Sequence, residues 1–367
     1  MKTSLLTGLM LSTALVMATA ARADITITVQ GPLTGSEATF GAQMKAGAEK
    51  AVADLNAKGG VLGQQIVLNL EDDKCDGTES TSVANRVAGS GSVFVVGSYC
   101  SGASIPASAV YAESQIVQIS PASTNPKFTD DRPGPGIYRV CGRDDQQGPA
   151  AAAYILKNFA GKNVAFLNDK SAYGEGLAIE AQKAYEEGGG KPVLVDAFNK
   201  GDTDFNALVT KLKAANVDLV YTGTYHTEAG NLVKQMRAQG LEATLMAGDA
   251  LVSEQFWTIS GPAGEGTIMT FSPDPAKNPA VADIVKAFTD AGTKPEGYVL
   301  YTYGAVQAWA AAVEAAGSTD FEPVVKALDE GKFETVLGEV EFDDKGDVTL
   351  PGYVVYKWHD GAYDYAE

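Results

Sequence analysis

Serine and threonine hydroxyls crowd into one stretch of this chain, Tyr99 to Pro126 (YCSGASIPASAVYAESQIVQISPASTNP). Ser101, Ser104 and Ser108 open a helix after an apolar strand, and a second buried strand, Ile116 to Ile119, runs into the polar turn Ser120 to Thr124. Two strand ends thus deliver two polar turns side by side, and the crevice beyond the carboxyl ends of parallel strands is where open α/β sheets bind ligands. Free amides at a helix start, helped by the helix dipole, favour an anion such as a carboxylate. The stretch points to a site for a small molecule bearing a carboxylate. Helix capping is the competing use of the same hydroxyls.

Other chemistries lack their residues. His226 and His359 are the only histidines, far apart and without a metal-ligand partner at helical or turn spacing, which argues against metal catalysis. Gly89-Ser90-Gly91-Ser92-Val93-Phe94 fails the dinucleotide fingerprint at its last glycine and precedes a strand. Gly188-Gly189-Gly190-Lys191 is followed by Pro192, where a phosphate loop needs Ser or Thr. No G-x-S-x-G elbow surrounds Ser101. No catalytic residue, metal or cofactor is expected.

The elements that must position the polar turns follow a repeated strand and helix pattern. Ile25 to Val29 reads as a strand, and Phe40, Met44, Ala48, Val52 and Leu55 recur on one helical face that ends at Gly59-Gly60. Strands at Ile66 to Leu70 and Val93 to Val96 continue the series, which implies a mostly parallel sheet covered by helices. After the turn-rich Asp130 to Gly136 the period restarts, with strands at 164–167, 192–195, 217–221 and 244–246. Beyond a strand at Gly266 to Phe271 and helices near 280–291 and 301–316, short apolar strands at Val336 to Phe342 and Tyr353 to Trp358 are expected to complete the two lobes. Lobe 1 is read as 24–142 plus 273–348 and lobe 2 as 143–272 plus 349–367.

The chain begins with Lys2, an apolar run from Leu5 to Ala20, and Ala21-Arg22-Ala23, the pattern of a secretory leader of residues 1–23 cleaved before Asp24. Of 28 basic and 46 acidic residues, two basic ones lie in that leader, leaving 26 against 46, or −20. Such acidity argues against nucleic acid and anionic membrane as partners. Export permits a disulfide, and Cys75 and Cys100 each follow an apolar strand-like run, so that they can meet at neighbouring strand ends. Cys141 is then a buried free thiol.

Seven stretches, in order along the chain, resemble the periplasmic leucine/isoleucine/valine-binding protein family, the receptors of bacterial branched-chain amino-acid ABC transporters. They are Asn56-Ala57-Lys58-Gly59-Gly60, Asp72-Asp73-Lys74-Cys75-Asp76, Tyr99-Cys100-Ser101, Ser120-Pro121-Ala122-Ser123-Thr124, Asp144-Asp145-Gln146-Gln147-Gly148-Pro149, Tyr173-Gly174-Glu175-Gly176 and Tyr225-His226.

The resemblance implies a two-lobed type I periplasmic-binding fold with a three-strand hinge, closing on a small neutral amino acid. It gives Ser101 the ligand carboxylate, Ala122 a carbonyl for the ammonium, and Thr124 a hydroxyl and amide for the zwitterion. Tyr225 reaches across from the second lobe and Tyr173 makes an aromatic wall. A buried ammonium needs a carboxylate opposite it, and that role falls to Asp249. Asp249 stands where the family has glutamate, Phe40 where it has tyrosine and Tyr298 where it has phenylalanine, so the side-chain pocket differs. Capping of a following helix is the other use for Asp249. The resemblance further implies a periplasmic monomer that delivers its ligand to an inner-membrane permease. Branched-chain amino acids lead; alanine, proline, γ-aminobutyrate, amides or a sensor role are the alternatives.

Overall fold

Apolar runs set between turn formers decide where each strand begins and ends. The computed structural model describes residues 23–350 and 352–366, so the expected leader, apart from Ala23, lies outside the described residues. The first lobe opens with β1 (Ile25–Gly31), α1 (Ala38–Ala57), β2 (Ile66–Asp72), α2 (Gly77–Ala88), β3 (Phe94–Gly97) and α3 (Ser101–Glu113). β4 (Val117–Ser120), the short α4 (Lys127–Asp130) and β5 (Ile137–Arg139) follow. Its strands are all parallel, in the order β2-β1-β3-β4-β5. β3 and β4 are buried along their whole length, as central parallel strands covered on both faces must be.

The pattern restarts with α5 (Asp144–Asn158), β6 (Val164–Asn168), α6 (Ala172–Glu187), β7 (Leu194–Ala197) and α7 (Asn206–Ala214). It continues through β8 (Leu219–Gly223), α8 (His226–Ala238), β9 (Thr244–Ala247), α9 (Glu254–Ser260) and β10 (Ile268–Phe271). These strands lie as β7-β6-β8-β9-β10, the order of the first sheet again. Both halves therefore present their strand ends and following turns in the same way.

Next come α10 (Ala282–Asp290), α11 (Val299–Ala316), α12 (Phe321–Glu330), β11 (Phe333–Thr335), β12 (Gly338–Val340), β13 (Val354–His359) and β14 (Ala362–Tyr365). α11 packs on α1 of the first lobe. The approach is so close that a Cβ on Gly47 would sit 2.2 Å from the Val299 carbonyl oxygen, and only glycine leaves that space. β13 returns to the second lobe, pairing antiparallel with β10 and then with β14. The chain thus crosses between lobes three times: from β5 to α5, from β10 to α11, and from β12 to β13.

Two expectations need correction. The strand expected at Val336 to Phe342 is instead half of the separate β11-β12 hairpin, because Gly338, at φ +95°, turns the chain back on itself. Cys75 and Cys100 are disulfide-bonded with a Cα separation of 5.4 Å, but their strands β2 and β3 are not neighbours. β1 lies between them, and the loops span its end. Cys141 is buried and free.

Candidate functional site

β3 and β4 pair in register, Val96 opposite Ile119, so the two hydroxyl-rich turns emerge together. Most of their hydroxyls are used to build the turns. Ser104 Oγ accepts from the Ser98 amide at 2.9 Å and meets Ser123 Oγ at 2.6 Å. Ser120 Oγ donates to the Ser98 carbonyl at 2.7 Å and accepts from the Ser123 amide, while Ser108 Oγ donates back to Ile105. Arg139, fully buried, clamps the second turn by donating to the carbonyls of Ser123 at 2.6 Å and Asn125 at 3.0 Å. Its charge is answered by Asp347 at 2.6 Å.

Ser101, Ala122 and Thr124 remain at the mouth of these turns, all buried. Ser101 Oγ, at the first residue of α3, accepts only a long bond from the Asn125 amide, 3.3 Å. Thr124 Oγ1 lies beside the Asp144 carboxyl and has no well-aligned partner. Burial, followed by the nearby Asp249 charge, pushes Asp144 well above the usual carboxylate range.

From the second lobe, Asp249 follows β9 in a one-turn 3-10 helix whose cap is Gly248, so its carboxylate is not spent on capping. Oδ1 accepts from Tyr173 Oη at 2.9 Å and Gln147 Nε2 at 3.0 Å, and Oδ2 accepts from the Tyr298 hydroxyl. Burial raises the Asp249 carboxyl; these three donors pull it back down. Burial likewise holds the hydroxyls of Tyr99, Tyr173, Tyr225 and Tyr298 well above the ordinary phenol range, so they stay protonated donors.

The aromatic rings form one connected wall. Phe40 stacks on Tyr99 at 4.3 Å, Tyr298 meets Tyr99 at 5.5 Å and Phe40 at 6.0 Å, and Tyr225 lies 6.0 Å from Tyr99 and 5.1 Å from Tyr173. Tyr225 is held at the start of α8, where β8 ends against α6. A Cβ on Gly223 would come within 1.9 Å of the Gly174 carbonyl oxygen, so this approach also requires glycine.

Phe40, Tyr173, Tyr225, Asp249 and Tyr298 are therefore brought together by direct contacts, with Ser101, Ala122 and Thr124 on the facing turns. Gln147, Tyr99 and Asp144 were not singled out from sequence as site residues, although each lies in a stretch that carried the family resemblance. Of the two histidines, His226 meets Glu37 across the cleft, and exposed His359 pairs with Glu265 at 2.6 Å.

Further bonds join the two lobes around the site. Thr39 Oγ1 meets Ser253 Oγ at 3.0 Å, Asn125 Nδ2 donates to the Ala172 carbonyl at 2.6 Å, and Lys200 Nζ donates to the Cys75 carbonyl at 3.2 Å. A separate cavity of about 170 Å³ lies where the crossing segments meet, lined by Val140, Gly142, Ser272 and Val348 among others. It is distinct from the aromatic site.

Chemically, the site offers a buried acceptor pole at Asp249 and a hydroxyl and helix-start pole at Ser101 and Thr124, separated by aromatic rings. Two α/β lobes meeting over such a dipolar, buried site define a solute-binding receptor. Residues 24–362 match the periplasmic binding protein family model, and the chain belongs to that family. It is 46% identical over 374 residues to the Leu/Ile/Val-binding protein homolog 1 of Brucella suis biovar 1, covering 100% of both chains. Among solved structures, a leucine-binding protein of Thermotoga maritima superposes with a TM-score of 0.85 at 28% identity, covering 94% of this chain and 98% of that one. A branched-chain amino-acid transporter substrate-binding protein of Streptococcus pneumoniae in complex with isoleucine gives 0.84 at 26% identity, covering 94% and 99%.

Proposed function

We propose that this chain is the periplasmic receptor of an ABC importer, capturing a branched-chain amino acid between its lobes and delivering it to an inner-membrane permease as a monomer. The lobes are assigned as 24–142 with 273–348 and 143–272 with 349–367. The observation that carries the reading is the buried Asp249 carboxylate facing the Ser101 and Thr124 turns, because a zwitterion needs opposite charges answered at both ends. In this assignment Ser101 and Thr124 take the ligand carboxylate, and the Ala122 carbonyl and Asp249 take the ammonium. Tyr173 and Tyr225 wall the backbone end, while Phe40 and Tyr298 bound the side chain.

The ligand shifts the population toward the closed form, since only there do both lobes touch it. A second reading, a smaller ligand such as alanine, proline or γ-aminobutyrate, is favoured by the Tyr298 hydroxyl, which bonds Asp249 and occupies space beside it. Calorimetric titration of unfolded and refolded, ligand-stripped protein against leucine, isoleucine, valine, alanine, proline and γ-aminobutyrate separates the two. One-to-one binding of the branched set supports the first, preference for the small set supports the second, and silence from all refutes the amino-acid reading.

A further inference from the structure

Three buried ionisable groups lie beside the ligand site without serving it. Glu37, in the loop between β1 and α1, is 1% exposed, and His226 and Glu228, in the first turn of α8, are 0% exposed. His226 Nδ1 lies 3.3 Å from Glu37 Oε2 across the cleft, and neither Glu37 oxygen has an aligned hydrogen bond. Glu228 Oε1 accepts from the Gly201 amide at 2.8 Å, while its Oε2 has no partner. The edge of Phe40 packs on the His226 ring at 5.2 Å and keeps water out.

We propose that Glu37, His226 and Glu228 form a proton-taking clasp between the lobes, so that closure takes up a proton and ligand capture tightens as the solution is acidified. This rests on the reading of the protein as a receptor that closes on its ligand.

The His226 imidazole faces Glu37, and Glu228, two residues further along α8, is a second buried carboxylate nearby; a second buried like charge is costly unless it is neutralised. Burial first, then the Glu37 charge, raise the Glu228 carboxyl to about 7, with the Gly201 amide opposing and Asp169 adding to the rise. The other groups facing the cluster leave Glu228 without a cation of its own. Asp169 is bound by Thr224 and the Ser171 amide, and Lys200 lies over the Tyr225 ring and on Cys75. The Tyr99 and Tyr225 hydroxyls stay protonated, and Asp249 adds only negative charge.

Opening carries Glu37 away with the first lobe and lets water reach the start of α8. Glu228 then holds its proton less tightly than in the closed form. Because the closed form has the higher proton affinity, acid favours closure. The gain is full below the open-form value and is lost as pH rises through about 7.

The test is titration with whichever of leucine, valine, alanine or proline binds, in buffers of different ionisation heat. Net proton uptake near pH 7 is expected, with Kd tightening roughly three- to tenfold from about pH 8 to about pH 6, each unit of difference between closed and open values being tenfold. Glu228→Gln should abolish the uptake and flatten the pH profile, and Glu37→Gln should move both to lower pH. Binding without uptake in the parent protein, or uptake retained in Glu228→Gln, overturns the clasp. If no amino acid binds, the receptor reading fails separately. The clasp is then read in a Thr39→Cys/Ser253→Cys variant, whose disulfide locks the lobes together. The Glu228 carboxyl, followed by carbon NMR, should titrate higher oxidised than reduced; equal midpoints overturn the proposal.

Discussion

Replacing Asp249 with asparagine separates a ligand-binding role from a structural one. The substitution keeps shape and one acceptor oxygen, so Tyr173 and Gln147, both donors to Oδ1, can keep their bonds. What is lost is the charge, together with the Oδ2 acceptor to which the Tyr298 hydroxyl donates. Removing one member of a buried, hydrogen-bonded charge pair costs about 2–5 kcal/mol, which is roughly 30-fold to several-thousandfold in Kd. The unliganded protein should not suffer equally. Burial raises the Asp249 carboxyl, so at neutral pH its ionised form is penalised in the folded state, and asparagine removes that penalty. Calorimetry with the best-binding amino acid, alongside urea unfolding without ligand, reads both effects. The expected result is a large loss of affinity with unchanged or slightly higher stability. Affinity within threefold of the parent would refute the assignment of the ammonium to Asp249. A matching collapse of stability would show that the carboxylate serves the fold instead.

Other substitutions test the supporting structure. Thr39→Ala removes a hydroxyl contact between the lobes worth about 0.5–1.5 kcal/mol; stopped-flow measurements should show the loss as faster ligand release with little change in association. Arg139→Met leaves Asp347 buried without one of its cations and releases the Ser123 and Asn125 carbonyls, so urea unfolding should show a loss of about 3–5 kcal/mol. Reduction of the Cys75–Cys100 disulfide opens a loop spanning 25 residues and should lower stability by about 3.5 kcal/mol on the chain-entropy model, as read by unfolding with and without reductant. Cys141, whose thiol burial pushes far above its ordinary range, should resist iodoacetamide in the native protein and react once it is unfolded, as mass spectrometry would record.

The alternation of apolar runs and amphipathic helices made the parallel strand series of both sheets legible in the sequence, since a buried strand and a one-sided helix carry different periods. Elements that broke those periods were less so. β5 is three residues long and hides behind the Asp130 to Gly136 turn, and α12, although Phe321, Val324, Val325 and Leu328 stand at helical spacing, is only ten residues long and was not read from the sequence. The Ser101 and Thr124 turns could be read because strand ends announce themselves locally. Gln147 reaches Asp249 across 102 residues, and His226 meets Glu37 only through the closed lobes, so neither pairing had a local signal. The family resemblance supplied Asp249 where spacing alone left capping as an equal use.

The packing of α11 against α1 also makes the first lobe depend on a distant part of the chain. The first sheet's strands are complete by Arg139, yet the helix that covers α1 does not begin until Val299. Until those later residues exist, α1 lacks the partner that Gly47 is shaped to receive. The docking of α11 on α1 is a long-range event, the kind that slows folding. Fragments ending after β5 should therefore remain loose and prone to proteolysis, because the face of α1 that α11 covers stays exposed in them.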